Sequence, residues 1–192
     1  GDIPTYWLRG MLRGLHKGGD PTLITNYRPI TLEQTAAKIY STILNSRLSA
    51  FVEARNIPSP AQVGFRPSRS TTHAAYLTYE AIRLANKNGS PLHLISIDFY
   101  KAYDSVEFSL LDCVLSEEFY GIPEKLGNAV KKLYRGRTIQ VDIPQGISDP
   151  IPLTRGVPQG DPISPLLFTL AVNPLLEFLM KMQGAFIHGQ NV

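Results

Sequence analysis

The sequence holds a single cysteine, Cys113, in 192 residues, so no internal disulfide can form. Disulfides persist in oxidising compartments, and their exclusion fits a reducing, intracellular setting. Cys113 lies in the apolar run LLDCVL and reads as a small core residue rather than a nucleophile. No secretory signal pattern is present. The longest apolar stretch, Ile163 to Met180, is interrupted by Ser164, Pro165, Asn173, Pro174 and Glu177, which argues against a membrane span. Internal repeats, low-complexity tracts and a disordered tail are also missing. No methionine opens the chain, and Gly1 to Trp7 reads as the start of a piece cut from something longer or of a processed product.

What is present suits a globular domain, or two small lobes. Hydrophobic residues make up 43% and charged residues 18%, enough to bury a core. The formal net charge of +3 permits a polyanionic partner without demanding one, so the placement of the basic residues matters more than their sum.

Periodicity predicts an α+β order of helices, strand, helices, hairpin and helix. Residues 9–30 read as a loop and hairpin region rich in Gly, Pro, Lys and Arg. Residues 34–55 are helical, with Ala36, Tyr40, Ile43, Leu44, Leu48, Phe51 and Val52 on one face. A second helix spans 71–87, capped by Thr71 or Thr72 and ended by Gly89. The run LHLISIDF (92–99) is apolar at nearly every position, the pattern of a strand buried on both faces. A helix is expected from about Glu107 to Tyr120, with Leu110, Leu111, Val114, Leu115 and Phe119 inward, and another from Pro123 to Tyr134. TIQVDI, the turn PQGISD and PIPLT form a hairpin pattern, and a long helix runs from near Pro162 to about Met182.

Four segments carry chemistry. In LISIDFYKAYDSV, Asp98 ends the apolar strand, where a half-desolvated carboxylate needs a cation; a metal, a helix cap and a salt bridge all satisfy that need. In RGVPQGDPISPLLF (155–168), two glycines and three prolines enclose Gln159 before a helix, so a glycine-permitted turn can present its amide to a base or sugar. In LHKGGDPTLITNYRPITL (15–32), Lys17 and Arg28 offer a point charge and a planar fork suited to phosphate oxygens, or two exposed loop cations. In QVGFRPSRST (62–71), Arg66 and Arg69 share a loop with the aromatic Phe65, a mix suited to a nucleic-acid backbone and bases, with a structural role for Arg69 nearly as good. His73 has no matching partner and reads as structural.

Taken together, in this order and spacing over residues 15 to about 180, the four segments resemble the reverse transcriptase domain of non-LTR (LINE-type) retrotransposons. The resemblance implies the fingers and palm of a right-hand polymerase, with an antiparallel palm sheet backed by helices and truncated. Residues 1–90 would form a fingers-like region with a basic hairpin and two helices, and 91–192 a partial palm holding the motif A strand, helices, hairpin and motif B helix. It implies that Asp98 is the catalytic, metal-binding aspartate and that the Phe99 carbonyl also touches a metal, Mg2+ or Mn2+. Tyr103 would pack on the sugar and exclude a 2′-hydroxyl, and a core tyrosine can do both. Asp104 would bond local backbone or a basic neighbour. Gln159 and Gly160 would line the nucleotide site, Lys17 and Arg28 would grip the triphosphate, and Arg66 and Arg69 would meet the template. RNA template, DNA primer and deoxynucleoside triphosphates would be the partners, in the nucleus or cytoplasm and without a membrane.

One family element is missing. Two-metal phosphoryl transfer needs several carboxylates holding ions roughly 4 Å apart. The family's YxDD pair does not appear in GAFIHGQNV or elsewhere, and Asp161 and Glu177 stand where the family has no metal ligand. The expectation is an RNA-directed DNA polymerase fragment that is inactive alone. The alternative is a domesticated, non-catalytic scaffold or RNA-binding subunit of a ribonucleoprotein assembly. Either way the strand carrying Asp98 would lack its neighbouring hairpin, and a protein partner is expected to cover that edge.

Overall fold

The structure is a computed structural model and describes residues 2–143 and 146–182. It places five strands and six helices in the order β1 (Arg9–His16), β2 (Tyr27–Leu32), α1 (Thr35–Ala54), α2 (Thr71–Asn88), α3 (Phe108–Val114), α4 (Glu117–Tyr120), α5 (Glu124–Tyr134), β3 (Thr138–Ile143), β4 (Gly146–Ile147), β5 (Ile151–Pro152) and α6 (Ser164–Met180). The α+β class expected from periodicity is what forms.

The sheet order is β2-β1-β3-β4, with β5 also paired to β3. β1 and β2 are antiparallel, with Leu12 opposite Thr31 and Leu15 opposite Arg28. β1 and β3 run parallel, with Gly10 opposite Ile139. The sheet is therefore mixed, a correction to the all-antiparallel expectation: the β1–β3 pairing joins segments more than 120 residues apart, and hairpin patterns carry no signal for it. The β3–β4–β5 hairpin region forms as expected, with Asp142 opposite Ile147 and Ile139 opposite Ile151. Pro144 and Gln145 of its turn, and the final GAFIHGQNV segment, lie outside the described residues.

Beside the sheet, α1, α3, α5 and α6 share one apolar core. It includes Leu44, Leu48, Val52, Leu111, Val114, Leu115, Val130, Leu133, Val157, Ile163 and Leu170. The inward seam of α1 is Ala37, Ser41, Leu44, Leu48 and Val52, a helical repeat of four, three, four and four. It is rotated from the apolar face read from sequence, since Ala36 and Ile43 are exposed. Counting apolar residues missed Ser41, whose hydroxyl has a buried partner (below).

The single helix expected over 107–120 is two. Ser116 accepts a hydrogen bond from the Phe119 N–H at 3.1 Å, capping α4 and interrupting the run. Leu111, Val114 and Leu115 are buried, whereas Leu110 and Phe119 stay exposed. Cys113 is exposed as well, not the core residue expected, because it lies off the Leu111–Val114 stripe.

The strand expected over 92–99 is not formed. Residues 91–99 have no regular structure, and Ile95 is 87% exposed. An all-apolar strand needs a ladder on its edges and cover on its faces, and among the described residues this segment has no pairing strand. α2 is likewise peripheral. No residue on it is buried, and Tyr76 and Tyr79 face outward. Its start is held by His73, whose Nδ1 accepts from the Ser70 N–H at 3.2 Å, and its end by Gly89 at φ 63°.

Candidate nucleotide site

Two loops meet beside the helical core. The first follows Asp98 and turns tightly: Lys101 has φ 47°, and the Ser105 N–H donates to the Lys101 carbonyl at 3.0 Å. The second is the glycine- and proline-rich stretch before α6. The Val157 N–H donates to the Tyr103 carbonyl at 2.9 Å, and the Gly156 N–H to the Val106 carbonyl at 2.7 Å. Gly156 (φ 87°) permits that approach, since a Cβ there would lie 3.0 Å from Asp104 Cα and 3.1 Å from the Tyr103 carbonyl oxygen.

The second loop then reaches the free edge of β2. The Thr31 N–H donates to the Gln159 carbonyl at 2.7 Å. Gly160 follows at φ 120°, where a Cβ would lie 2.6 Å from the Thr31 oxygen, so only glycine fits. Gln159 thus stands at a junction of sheet, first loop and α6.

Between these parts is an open cavity of about 370 Å3, lined by Thr31, Lys101, Asp104, Arg155, Gln159 and apolar residues including Leu12 and Ile139.

Tyr103 is half-buried, and its ring packs on Phe168 of α6 at 5.4 Å and on Phe65 at 6.4 Å. Burial pushes the Tyr103 phenol above its ordinary range. Phe99 meets the same Phe168 ring edge-on at 6.1 Å. Phe99 and Tyr103 therefore share the Phe168 ring. The Asp98 carboxylate is exposed and makes no hydrogen bond or ion pair among the described residues. It does not line the cavity.

Lys17 and Arg28 are exposed on the β1–β2 hairpin and do not line the cavity either. The register places Arg28 on the sheet face of Leu15 and Arg13, opposite to that of Thr31 and Leu12. Arg69 is exposed.

Arg66 is a correction. Its Nε and Nη2 donate to the two oxygens of Glu53 at 2.9 and 2.7 Å, and its Nη1 to the carbonyls of Pro58, Ser59 and Gln62. The side chain is 7% exposed. The same fork that suits phosphate suits a carboxylate plus loop carbonyls, and here it holds the 57–66 connection onto α1. Arg66 in turn draws the Glu53 carboxyl below its ordinary value.

Several residues at the junction have no signal in apolar periodicity: Thr31, Glu33, Lys101, Arg137, Asp161 and Phe168. Phe168 was visible only as the end of PLLF, and Asp161 only as a carboxylate in the wrong place for a metal.

The structure thus holds a basic hairpin on a sheet edge, a carboxylate-bearing loop, and a glutamine turn opening a helix. The chain belongs to the reverse transcriptase (RNA-dependent DNA polymerase) family, whose model matches residues 15–188, and it is of the non-LTR retrotransposon type. It is 32% identical over 181 residues to the transposon TX1 uncharacterized 149 kDa protein of Xenopus laevis, covering 94% of this chain and 14% of that protein. It is 30% identical over 185 residues to the retrovirus-related Pol polyprotein from the type-1 retrotransposable element R2 of Popillia japonica, covering 96% of this chain and 25% of that protein. It is 27% identical over 169 residues to the probable RNA-directed DNA polymerase from transposon X-element of Drosophila melanogaster, covering 88% and 18%. The chain thus spans a quarter or less of the length of these relatives.

Enzymes of this family use divalent metal ions. Among the described residues no group of three or more His, Cys, Asp or Glu is placed to hold one. Asp98 and the Phe99 carbonyl alone do not fit a two-ion site. Among the described residues no helix is long and apolar enough to cross a membrane.

Proposed function

We propose that this domain supplies the nucleotide-selecting part of an RNA-directed DNA polymerase, working on an RNA template and DNA primer within a longer protein. The observation that carries the reading is the direct bonding of the Tyr103 loop to the segment leading into the Gln159 turn, which is itself bonded to Thr31 of β2. Catalysis by positioning needs such a preorganised junction, because small displacements of a bound nucleotide cost rate steeply.

In this reading Tyr103 sits under the sugar and denies room to a 2′-hydroxyl, its ring held by Phe168 and Phe65. Gln159 and Gly160 line the nucleotide. The exposed Lys17 and Arg28 of the hairpin meet the triphosphate, and Arg69 meets the template. Asp98, with the Phe99 carbonyl, contributes one arm of a Mg2+ or Mn2+ site whose other carboxylates come from outside the described residues. The exposure of Asp98 and its lack of partners among the described residues support that role, since a carboxylate with no internal bond can take an external cation. The 192-residue chain alone is therefore inactive in primer extension.

The exposed 92–99 segment supports a further point: polypeptide from the rest of the protein, or a partner, pairs beside it. Work on nucleic acid in the nucleus or cytoplasm accords with this reading. A non-catalytic scaffold of the same fold would keep the junction without sugar selection. Primer extension by the full-length protein separates the two. Tyr103→Ala should raise ribonucleotide incorporation relative to deoxynucleotide by on the order of tenfold or more, the discrimination of a pocket that excludes one small group. Unchanged sugar preference in an active variant would overturn the role of Tyr103.

A further inference from the structure

Behind the Gln159 turn lies a buried charge cluster. The Arg137 side chain, at the start of β3, is 2% exposed. Its Nη1 donates to Glu33 Oε1 at 2.7 Å and to Asp161 Oδ2 at 3.2 Å. Glu33 and Asp161 are themselves 1% and 3% exposed. The other Asp161 oxygen accepts from the Ser41 hydroxyl on α1 and from the Ile163 N–H at 3.3 Å. Arg137 also accepts the Leu153 N–H at its carbonyl, at 2.9 Å, anchoring the segment that leads into the turn.

The geometry has a specific consequence. Segments 31–33 and 159–161 lie side by side and are joined at both ends. At one end Thr31 donates to the Gln159 carbonyl. At the other, Glu33 and Asp161 share Arg137. Burying two carboxylates with one guanidinium is costly unless the group is closely bonded, and it favours one arrangement over looser ones. Glu33 is pushed up to about 7, by burial first and by the Asp161 charge, with Arg137 opposing. Its Oε2 has no hydrogen-bond partner. None of the three charged side chains lines the cavity.

We propose that Arg137 is a positioning residue for the nucleotide pocket: through Glu33 and Asp161 it fixes the Gln159–Gly160 turn against β2. This rests on the reading of Gln159 as a nucleotide contact. The cluster ties the turn to β2, so Thr31 and Gln159, which both line the cavity, keep a common register. Because both carboxylates converge on one nitrogen, a lysine ammonium can replace much of the contact as a single point charge.

The test uses the full-length protein with two readouts. In primer extension, Arg137→Gln should raise the deoxynucleotide KM by on the order of tenfold, with kcat and primer–template affinity changed far less, and Arg137→Lys should recover most of the loss. In amide exchange by mass spectrometry, Arg137→Gln should speed exchange around Thr31 while leaving the α1 core around Leu48 protected. The proposal is overturned by a wild-type KM and wild-type exchange around Thr31 in Arg137→Gln. It is equally overturned by uniform deprotection of Thr31 and Leu48, or by Arg137→Lys behaving as Arg137→Gln. If the wild-type protein incorporates no nucleotide, the polymerase reading fails, and the exchange comparison still decides whether Arg137 holds the turn.

Discussion

Glu33 illustrates how a single buried proton can set the pH response of a domain. Its carboxyl titrates at about 7 in the folded chain, above the ordinary 4.5, so the folded state binds the proton more tightly. The stability from that proton is fully present below about pH 4.5 and is lost as pH rises through 7. Thermal denaturation between pH 5 and 8 should show a falling midpoint, after correction for other groups. Glu33→Gln, which mimics the protonated side chain, should flatten that slope. An equal slope in the variant would assign the dependence elsewhere. Other residues teach a different lesson. The chemistry of Arg66 was legible but not its target, since a guanidinium fork accepts Glu53 as readily as a phosphate.

At the level of elements, periodicity located four of the six helices, α1, α2, α5 and α6, to within a few residues, and the hairpin after Arg137. It failed where a polar residue occupies an inward position. Ser41 sits on the buried seam of α1 because Asp161 accepts its hydroxyl, and this rotates the seam. Ser116 divides the helix expected over 107–120 by capping α4. Both depend on partners remote in sequence or on local competition for the backbone, which a hydrophobic count does not contain. The seam itself gives a direct prediction. Leu48 is fully buried between helices, so Leu48→Ala should lower unfolding free energy by about 2–5 kcal/mol in chemical denaturation. A cost below about 1 kcal/mol, less than typical for truncating a buried leucine, would mean that α1 packs otherwise. The candidate site was legible as motifs. Their meeting point was not, because it is made by main-chain bonds from Gly156, Val157 and Thr31 to partners remote in sequence.

Across the whole molecule, the core is built by four helices while one apolar segment and one helix stay outside it. Ile95 and Ile97 are exposed at 87% and 64% in a segment whose composition is that of an interior strand. Unpaired, such a segment is a template for association. The isolated 192-residue chain should therefore self-associate or bind apolar dyes, and Ile95→Ser with Ile97→Ser should reduce both. A monodisperse, dye-silent wild-type chain in size-exclusion chromatography would contradict this. The sequence announced the hydrophobicity of 92–99 but not its bareness, because burial depends on what else is present to pair with it.

We propose that Asp98 serves an external metal rather than the fold. Because it is exposed and makes no hydrogen bond or ion pair among the described residues, Asp98→Asn should leave unfolding free energy unchanged within about 0.5 kcal/mol. The decisive measurement is primer extension by the full-length Asp98→Asn protein in Mg2+ or Mn2+, alongside its unfolding curve. The account predicts a loss of at least about a hundredfold in rate, the scale of removing a key electrostatic group from a transition state, with stability retained. Extension at the wild-type rate, or a variant that fails to fold, would contradict it.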